Sequence, residues 1–150
     1  MINSPPAVSR SAKSSTPAVP RVVFTDPQAA AVGATDGRFE GTARLAEVAK
    51  TETYSRAYAE SNGFLTLIAD GNRLTGAYAL GPEAGEWLQQ ATLAIRGRVP
   101  IEVLRDTIQP FPTFSEIYVE ALKALRERIA STRQPVGNGR ETAAAHEAAA

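Results

Sequence analysis

The chain has 150 residues, with 16 Lys and Arg set against 16 Asp and Glu, so its formal charge at neutral pH is zero. At 43% hydrophobic residues it is long and apolar enough for one domain with its own core, while the charge balance argues against a nucleic-acid partner held by phosphate neutralisation and no uncharged apolar run is long enough to span a membrane. The absence of cysteine excludes disulfides, thiolate metal sites and thiol nucleophiles, and with no apolar signal-type segment at the start the expected location is the cytoplasm.

Residues 1–19 contain five Ser and three Pro and no aromatic side chain, so they cannot bury enough surface to offset the entropy of ordering; a disordered tail is expected there. Residues 131–150 lack aromatics, carry Pro135, Gly137 and Gly139 and finish in alanine, and the same expectation applies. The domain is placed at 20–130, which contains all ten aromatic residues. Arg21 to Thr25 reads as a strand, ended by Asp26-Pro27 as the cap and first turn of a short helix. Gly33, Gly37 and Gly41 then punctuate a loop, followed by a strand over Thr42 to Val48. Glu52 to Ser61 carries Tyr54, Ala57 and Tyr58 on one side of one or two helical turns.

Gly63 to Ala69 and Arg73 to Leu80 flank the turn-forming Asp70-Gly71-Asn72 and predict a β-hairpin. Gly81-Pro82 opens a helix ended by Gly97, in which Trp87, Leu88, Ala91, Ala94 and Ile95 form one buried face. Pro100 to Thr107 predicts a shorter helix, with Ile101, Val103, Leu104 and Ile108 as its apolar contacts. Ser115 to Ile129 places Ile117, Tyr118, Ala121, Leu122, Leu125 and Ile129 on one stripe of a last helix. Strands first and helices later favour an α+β fold over alternating βαβ units.

The chemistry available is narrow. The only histidine is His146, outside the 20–130 domain, so His-based triads and His or Cys metal sites have no partner residues in the fold. Glycines spaced by four match neither a dinucleotide fingerprint nor a P-loop. Carboxylates remain: Glu83, Glu86, Asp106 and Glu116 lie near helix ends, where a negative charge suits the N-terminal dipole. Thr113-x-x-Glu116 has the form of a capping box, and capping is the plainer role for both residues. Trp87 reads as core, and Arg96, Arg98, Arg105, Arg126 and Arg128 as a solvated surface. Between Gln109 and Glu116, Pro110 and Pro112 stiffen the backbone around Phe111 and Phe114, and Phe111-Pro112 is a plausible cis bond. A rigid apolar segment of this kind belongs either in a core or in an interface.

Val19-Pro20-Arg21-Val22-Val23-Phe24-Thr25-Asp26-Pro27 with Ala31-Val32-Gly33, then Gly63 to Ala69, Leu74 to Gly81, Gly85-Glu86, Leu93-Ala94-Ile95, Thr107-Ile108 and Pro112-Thr113-x-x-Glu116 together resemble the C-terminal dimerisation domain of the pyridine nucleotide-disulfide oxidoreductases, of the dihydrolipoamide dehydrogenase and mercuric reductase type. The resemblance covers about residues 19 to 130. It implies an antiparallel sheet flanked by helices that makes a two-fold dimer interface, in enzymes whose FAD and NAD(P) are held by preceding domains. Many members carry His-Pro-Thr-x-x-Glu, the His acting as acid–base at the partner's active site and the Glu orienting it. Here Phe111 stands at the His position, so the motif Phe111, Pro112, Thr113 and Glu116 is expected to be vestigial, with no catalytic residue and no cofactor held by this chain alone. Phe111 and Pro112 are the expected contacts to a partner's flavin.

The leading expectation is therefore a non-catalytic dimerisation module of an FAD- and NAD(P)H-dependent oxidoreductase, acting as a homodimer. A variant is an accessory subunit that completes a separate FAD- and NAD(P)-binding chain. The alternative of another class is a free-standing small enzyme whose carboxylates Glu86, Asp106 and Glu116 converge in a cleft.

Overall fold

The computed structural model describes residues 18–48 and 63–133. Five strands, β1 (Pro20–Val23), β2 (Gln28–Gly33), β3 (Phe39–Arg44), β4 (Phe64–Asp70) and β5 (Arg73–Gly81), form one sheet in the order β1-β2-β5-β4-β3. Each neighbouring pair is antiparallel. Among the described residues four helices follow it: α1 (Ala84–Trp87), α2 (Gln89–Gly97), α3 (Ile101–Asp106) and α4 (Ile117–Arg133). Helix α4 lies along β3 and β4, α2 along β5 and β2, and α1 against β2 and β1. This is the α+β arrangement expected from strands preceding helices. Among the described residues no helix is long and apolar enough to cross a membrane.

The β4–β5 hairpin forms as its sequence predicts, closing on Gly71-Asn72 with Gly71 at φ +59°. Leu65, Leu67, Ala69, Ala77 and Ala79 turn toward the helices and are buried there with Val32, Leu88, Ile117, Tyr118, Leu122 and Leu125. The stripe expected on the last helix is thus the sheet-facing side of α4, with Ile129 packed at its margin. The helix itself continues to Arg133. The 1–17 and 134–150 parts of the two expected tails, and the helical turns expected over Glu52 to Ser61, lie outside the described residues.

Three expectations in the first half of the chain need correction. Asp26-Pro27 does not start a helix; the peptide is cis, and the chain bends directly into β2. Ala29, Ala30 and Ala31 favour helices in isolation, yet pairing with Leu80, Ala79 and Tyr78 of β5 places them near the sheet's centre, where tertiary context overrides propensity. The glycines at 33, 37 and 41 do not share a loop, because Gly33 ends β2 and Gly41 lies inside β3. At Gly41 an added Cβ would stand 2.5 Å from the Ala121 carbonyl oxygen and closer still to the Leu125 amide nitrogen, so glycine there lets the α4 backbone rest on the strand. The strand expected over Thr42 to Val48 instead stops at Arg44 and gives way to a 3-10 turn over Leu45–Glu47.

The helix expected from Pro82 to Gly97 is interrupted. Pro82 precedes it, Glu83 sits in the left-handed region at φ 55°, and between α1 and α2 the Ala91 N–H donates to the Tyr118 hydroxyl in place of the Trp87 carbonyl. The apolar face is nevertheless intact, with Trp87, Leu88, Ala91, Ala94 and Ile95 all buried. Trp87 is core, and its Nε1 donates to the Pro82 carbonyl at 2.8 Å. From β2, the Gln28 side-chain oxygen accepts the Gly85 N–H at 3.2 Å and ties the start of α1 to the sheet.

Candidate functional site

Helix α3 is anchored through its first turn. The Ile101 N–H donates to the Asn72 carbonyl at 3.0 Å, so the helix starts on the hairpin turn. Glu102 approaches Arg126 of α4 at 3.6 Å and Arg105 at 3.2 Å. Arg105 also pairs with Asp106 at 2.8 Å; that hydrogen bond, the Asp106 charge and then the Glu102 charge raise the guanidinium's affinity for its proton. Ile101 and Leu104 are buried as expected, but Val103 and Ile108 are not. Val103 falls on the outer side of this short helix, and Ile108 lies beyond its last turn, where the chain has left the core.

The segment after α3 is held by its own short hydrogen bonds. The Thr107 hydroxyl donates back to the Val103 carbonyl at 2.7 Å, and the Thr113 hydroxyl donates to the Pro110 carbonyl at 2.6 Å. The Phe111-Pro112 peptide is cis. Next comes a 3-10 turn over Phe114–Glu116, whose entry is capped: the Thr113 N–H donates to Glu116 Oε2 at 3.2 Å, and the Glu116 N–H to the Thr113 carbonyl at 3.3 Å. Glu116 therefore serves the turn that launches α4, the plainer of its two expected roles.

The two aromatics of the stiff segment part company. Phe114 joins the core at 8% exposure, whereas Phe111 is 73% exposed and Ile108 93%. A buried Phe or Ile side chain contributes about 1.5–3 kcal/mol relative to an exposed one. Two large apolar groups are thus presented outward on a backbone fixed by two hydroxyl bonds and a cap. The Thr107 and Thr113 hydroxyls are turned back onto the chain, and the outward surface includes an aromatic ring and a branched aliphatic chain.

The carboxylates considered as a catalytic set do not converge. Glu86 is exposed on α1, Asp106 is paired with Arg105 at the end of α3, and Glu116 is turned to Thr113. A groove of about 500 Å3 runs between β3 and the C-terminal half of α4, lined by Glu40, Thr42, Glu127 and Arg128 among others, and includes none of the three. Among the described residues no group of three His, Cys, Asp or Glu side chains is arranged to hold a metal ion. Arg96, Arg98, Arg105, Arg126 and Arg128 are all exposed, as their scatter over separate elements predicts.

One polar arrangement escaped the sequence reading. The Tyr118 hydroxyl, fully buried in α4, donates to the Trp87 carbonyl at 2.9 Å and accepts the Ala91 N–H at 3.1 Å. Burial pushes its ionisation well above the ordinary phenol range. The only available signal was a tyrosine on an otherwise apolar stripe, since a buried phenol needs hydrogen-bond partners.

Comparison with known proteins agrees with this geometry. The family model described as "Pyridine nucleotide-disulphide oxidoreductase, dimerisation domain" matches residues 19–122. A mercuric reductase of Acidithiobacillus ferrooxidans is 39% identical over 66% of this chain, which covers 19% of that protein. Dihydrolipoyl dehydrogenase 2 of Haloarcula marismortui is 34% identical over 77% of the chain, covering 26% of its length. Among solved structures, the HOCl-induced flavoprotein disulfide reductase RclA from Escherichia coli superposes with a TM-score of 0.60 at 23% identity, over 70% of this chain and 26% of that one. LpdA from Mycobacterium tuberculosis gives a TM-score of 0.58 at 22% identity, over 73% of this chain and 25% of that one. These two likenesses bear on the fold alone. The chain spans about a fifth to a quarter of the length of these relatives, and across that span it belongs to the pyridine nucleotide-disulphide oxidoreductase dimerisation-domain family.

Proposed function

We propose that this chain is the dimerisation module of an FAD- and NAD(P)H-dependent oxidoreductase, that it self-associates as a two-fold homodimer in the cytoplasm, and that it performs no catalysis alone. The observation that carries the reading is the outward display of Ile108 and Phe111 on a hydrogen-bonded, proline-stiffened segment, in a chain whose family is a dimerisation domain. A two-fold interface uses the same patch on both copies, and a rigid apolar patch suits that use because little side-chain and backbone freedom is lost on docking.

The acid–base role of the family's His-Pro-Thr-x-x-Glu has no counterpart. Phe111 cannot carry a proton, and Glu116 is engaged by the Thr113 amide. The cofactors fit this chain only partly. Phe111 and Pro112 offer carbon surface that can cover the flat ring system of a flavin held by another domain. The hydroxyls of Thr107 and Thr113 point back to Val103 and Pro110 carbonyls, so the segment provides no polar cradle for a dinucleotide. FAD, when bound elsewhere in such an enzyme, supplies the redox chemistry; the residues described here would shape and dry one wall of its surroundings.

The test is direct. Mixed with FAD and passed through gel filtration, the purified chain should elute without a flavin spectrum and at the mass of two 15.9 kDa protomers. Retained yellow colour, or a monomer at tens of micromolar, would refute the proposal.

A further inference from the structure

The sheet ends in β1 on one side and β3 on the other, and the phase of its hydrogen bonds fixes which backbone groups each edge leaves open. At β3 the Leu45 N–H donates to the carbonyl of Gly63, directly opposite, at 2.8 Å. Phe39, Gly41 and Ala43 therefore bond to β4, while Glu40, Thr42 and Arg44 face outward. That edge is guarded: Arg38, Glu40 and Arg44 are charged, Glu47 Oε2 accepts the Arg44 N–H at 3.2 Å, and the α4 backbone rests on Gly41. At the opposite end the Ala34 N–H donates to the carbonyl of Thr75, directly opposite, at 3.0 Å. Ala29 and Ala31 thus turn toward β1 and bond Val23 and Arg21, leaving Pro20 and Val22 to face outward. That is the side on which a strand tolerates proline. Val19, Val23 and Phe24 are exposed around this edge, Phe24 at 83%. Pro20 and Phe24 fall on the helix side of the strand and are both exposed, so no described element overhangs it.

We propose that β1 is a pairing edge for a second copy of this chain, joined antiparallel about a two-fold axis at Val22. The two Val22 residues exchange their N–H and C=O groups, and one sheet runs through both copies. One residue further along, the Phe24 N–H of each copy donates to the Pro20 carbonyl of the other, and its ring covers the Pro20 ring. Pro20 withholds a donor at each end of the pairing and leaves the central pair intact. Arg21 of one copy stands opposite Val23 of the second as a non-hydrogen-bonded pair, on the sheet face away from the helices. A second copy fits better than a strand of arbitrary sequence, because it sets the donor-less proline under an exposed aromatic on both sides of the axis. With an aromatic side chain of about 150–250 Å2 and two valines from each copy, the contact covers on the order of 800 Å2 in total, the low end for a transient interface. It therefore forms at high chain concentration and joins chains without creating the tighter dimer. Helix α4, which follows the Ile108–Phe111 segment, lies along β3 and β4 at the far side of the sheet, so the two surfaces are separate and neither needs the other.

The test uses the full chain carrying Ile108→Ser and Phe111→Ser, so that its result does not depend on the other surface. In an equal mixture of 13C-labelled and unlabelled chain at about 1 mM, the range a contact of this size reaches, isotope-filtered NMR should show an NOE between the Arg21 Hα of one copy and the Val23 Hα of the other. The Val22 amide shift should follow chain concentration and give the dissociation constant. Val23→Glu and Val23→Lys, added to that chain, both lose the valine but place opposite or like charge across from Arg21. The glutamate variant should associate about tenfold more tightly than the lysine variant at low salt, with unchanged β4–β5 amide shifts as the check on folding. Equal constants for the two variants, or intermolecular NOEs that leave β1 out, overturn the pairing. A Val22 amide that ignores chain concentration also overturns it and leaves the edge to a foreign strand or to none.

Discussion

Replacing Gly41 by alanine is predicted to be far more damaging than its place on an exposed-looking polar strand suggests. The new Cβ would lie 2.5 Å from the Ala121 carbonyl oxygen, where ordinary contact begins at 3.4 Å, and closer still to the Leu125 amide. Both atoms are helix backbone, so no rotamer change can relieve the overlap. Helix α4 must retreat by roughly 1 Å, lifting Ala121, Leu122 and Leu125 from Leu65 and Leu67. Overpacking of this kind costs about 3 kcal/mol, the upper part of its usual range. With a urea m-value of about 2 kcal/mol/M, the midpoint should fall by about 1.5 M. Gly71→Ala is the matched control: its φ is +59° and an added Cβ meets nothing within 4 Å. That variant should lose only the left-handed penalty of about 1 kcal/mol, or about 0.5 M in midpoint. Both midpoints must be taken at one protein concentration, because self-association adds to apparent stability. If Gly41→Ala loses no more than Gly71→Ala, the close approach of α4 to β3 is wrong.

Other consequences are smaller but separable. Glu116→Ala removes the acceptor of the Thr113 N–H and should lower stability by about 1 kcal/mol in urea titration. Arg126→Ala breaks the pair with Glu102 between half-exposed side chains, and double-mutant cycles with Glu102→Ala should give a coupling below about 0.5 kcal/mol. Alkaline stability should depend on Tyr118. In the unfolded chain the phenol ionises near 10.0, while burial holds the folded phenol protonated, so above that pH the native state binds the extra proton and stability falls as pH rises. Between pH 9 and pH 11 the wild type should lose about 1.4 kcal/mol more than Tyr118→Phe; parallel pH profiles would contradict this.

The parts of the fold legible in the sequence are those governed by local rules. The β4–β5 hairpin carries its own turn residues, and α4 its own apolar stripe and capping pair Thr113 and Glu116. What remained hidden depends on contacts distant in sequence. Ala29 to Ala31 look helical until β5 pairs with them, and Gly41 looks like a loop glycine until α4 arrives some eighty residues later. Ile108 satisfied an apolar period, yet period alone cannot tell the last inward residue of a short helix from the first outward one. The stiffness around Phe111 was readable from Pro110 and Pro112. Its outward orientation, with Phe114 turned inward, required the cap at Glu116 to fix the direction in which α4 departs. The Tyr118 hydroxyl bridge between the Trp87 carbonyl and the Ala91 amide had no sequence signal beyond a phenol on an apolar face.

Self-association through the segment bearing Ile108 and Phe111 is the claim on which the functional account stands. Sedimentation equilibrium of the full chain should give a dimer at micromolar concentration, and an Ile108→Ser, Phe111→Ser double variant should sediment as a monomer of 15.9 kDa with its urea stability per monomer little changed. Four side chains leaving a two-fold interface, at about 1.5 kcal/mol each, weaken the dimer more than a thousandfold. A double variant that remains as dimeric as the wild type would contradict the account.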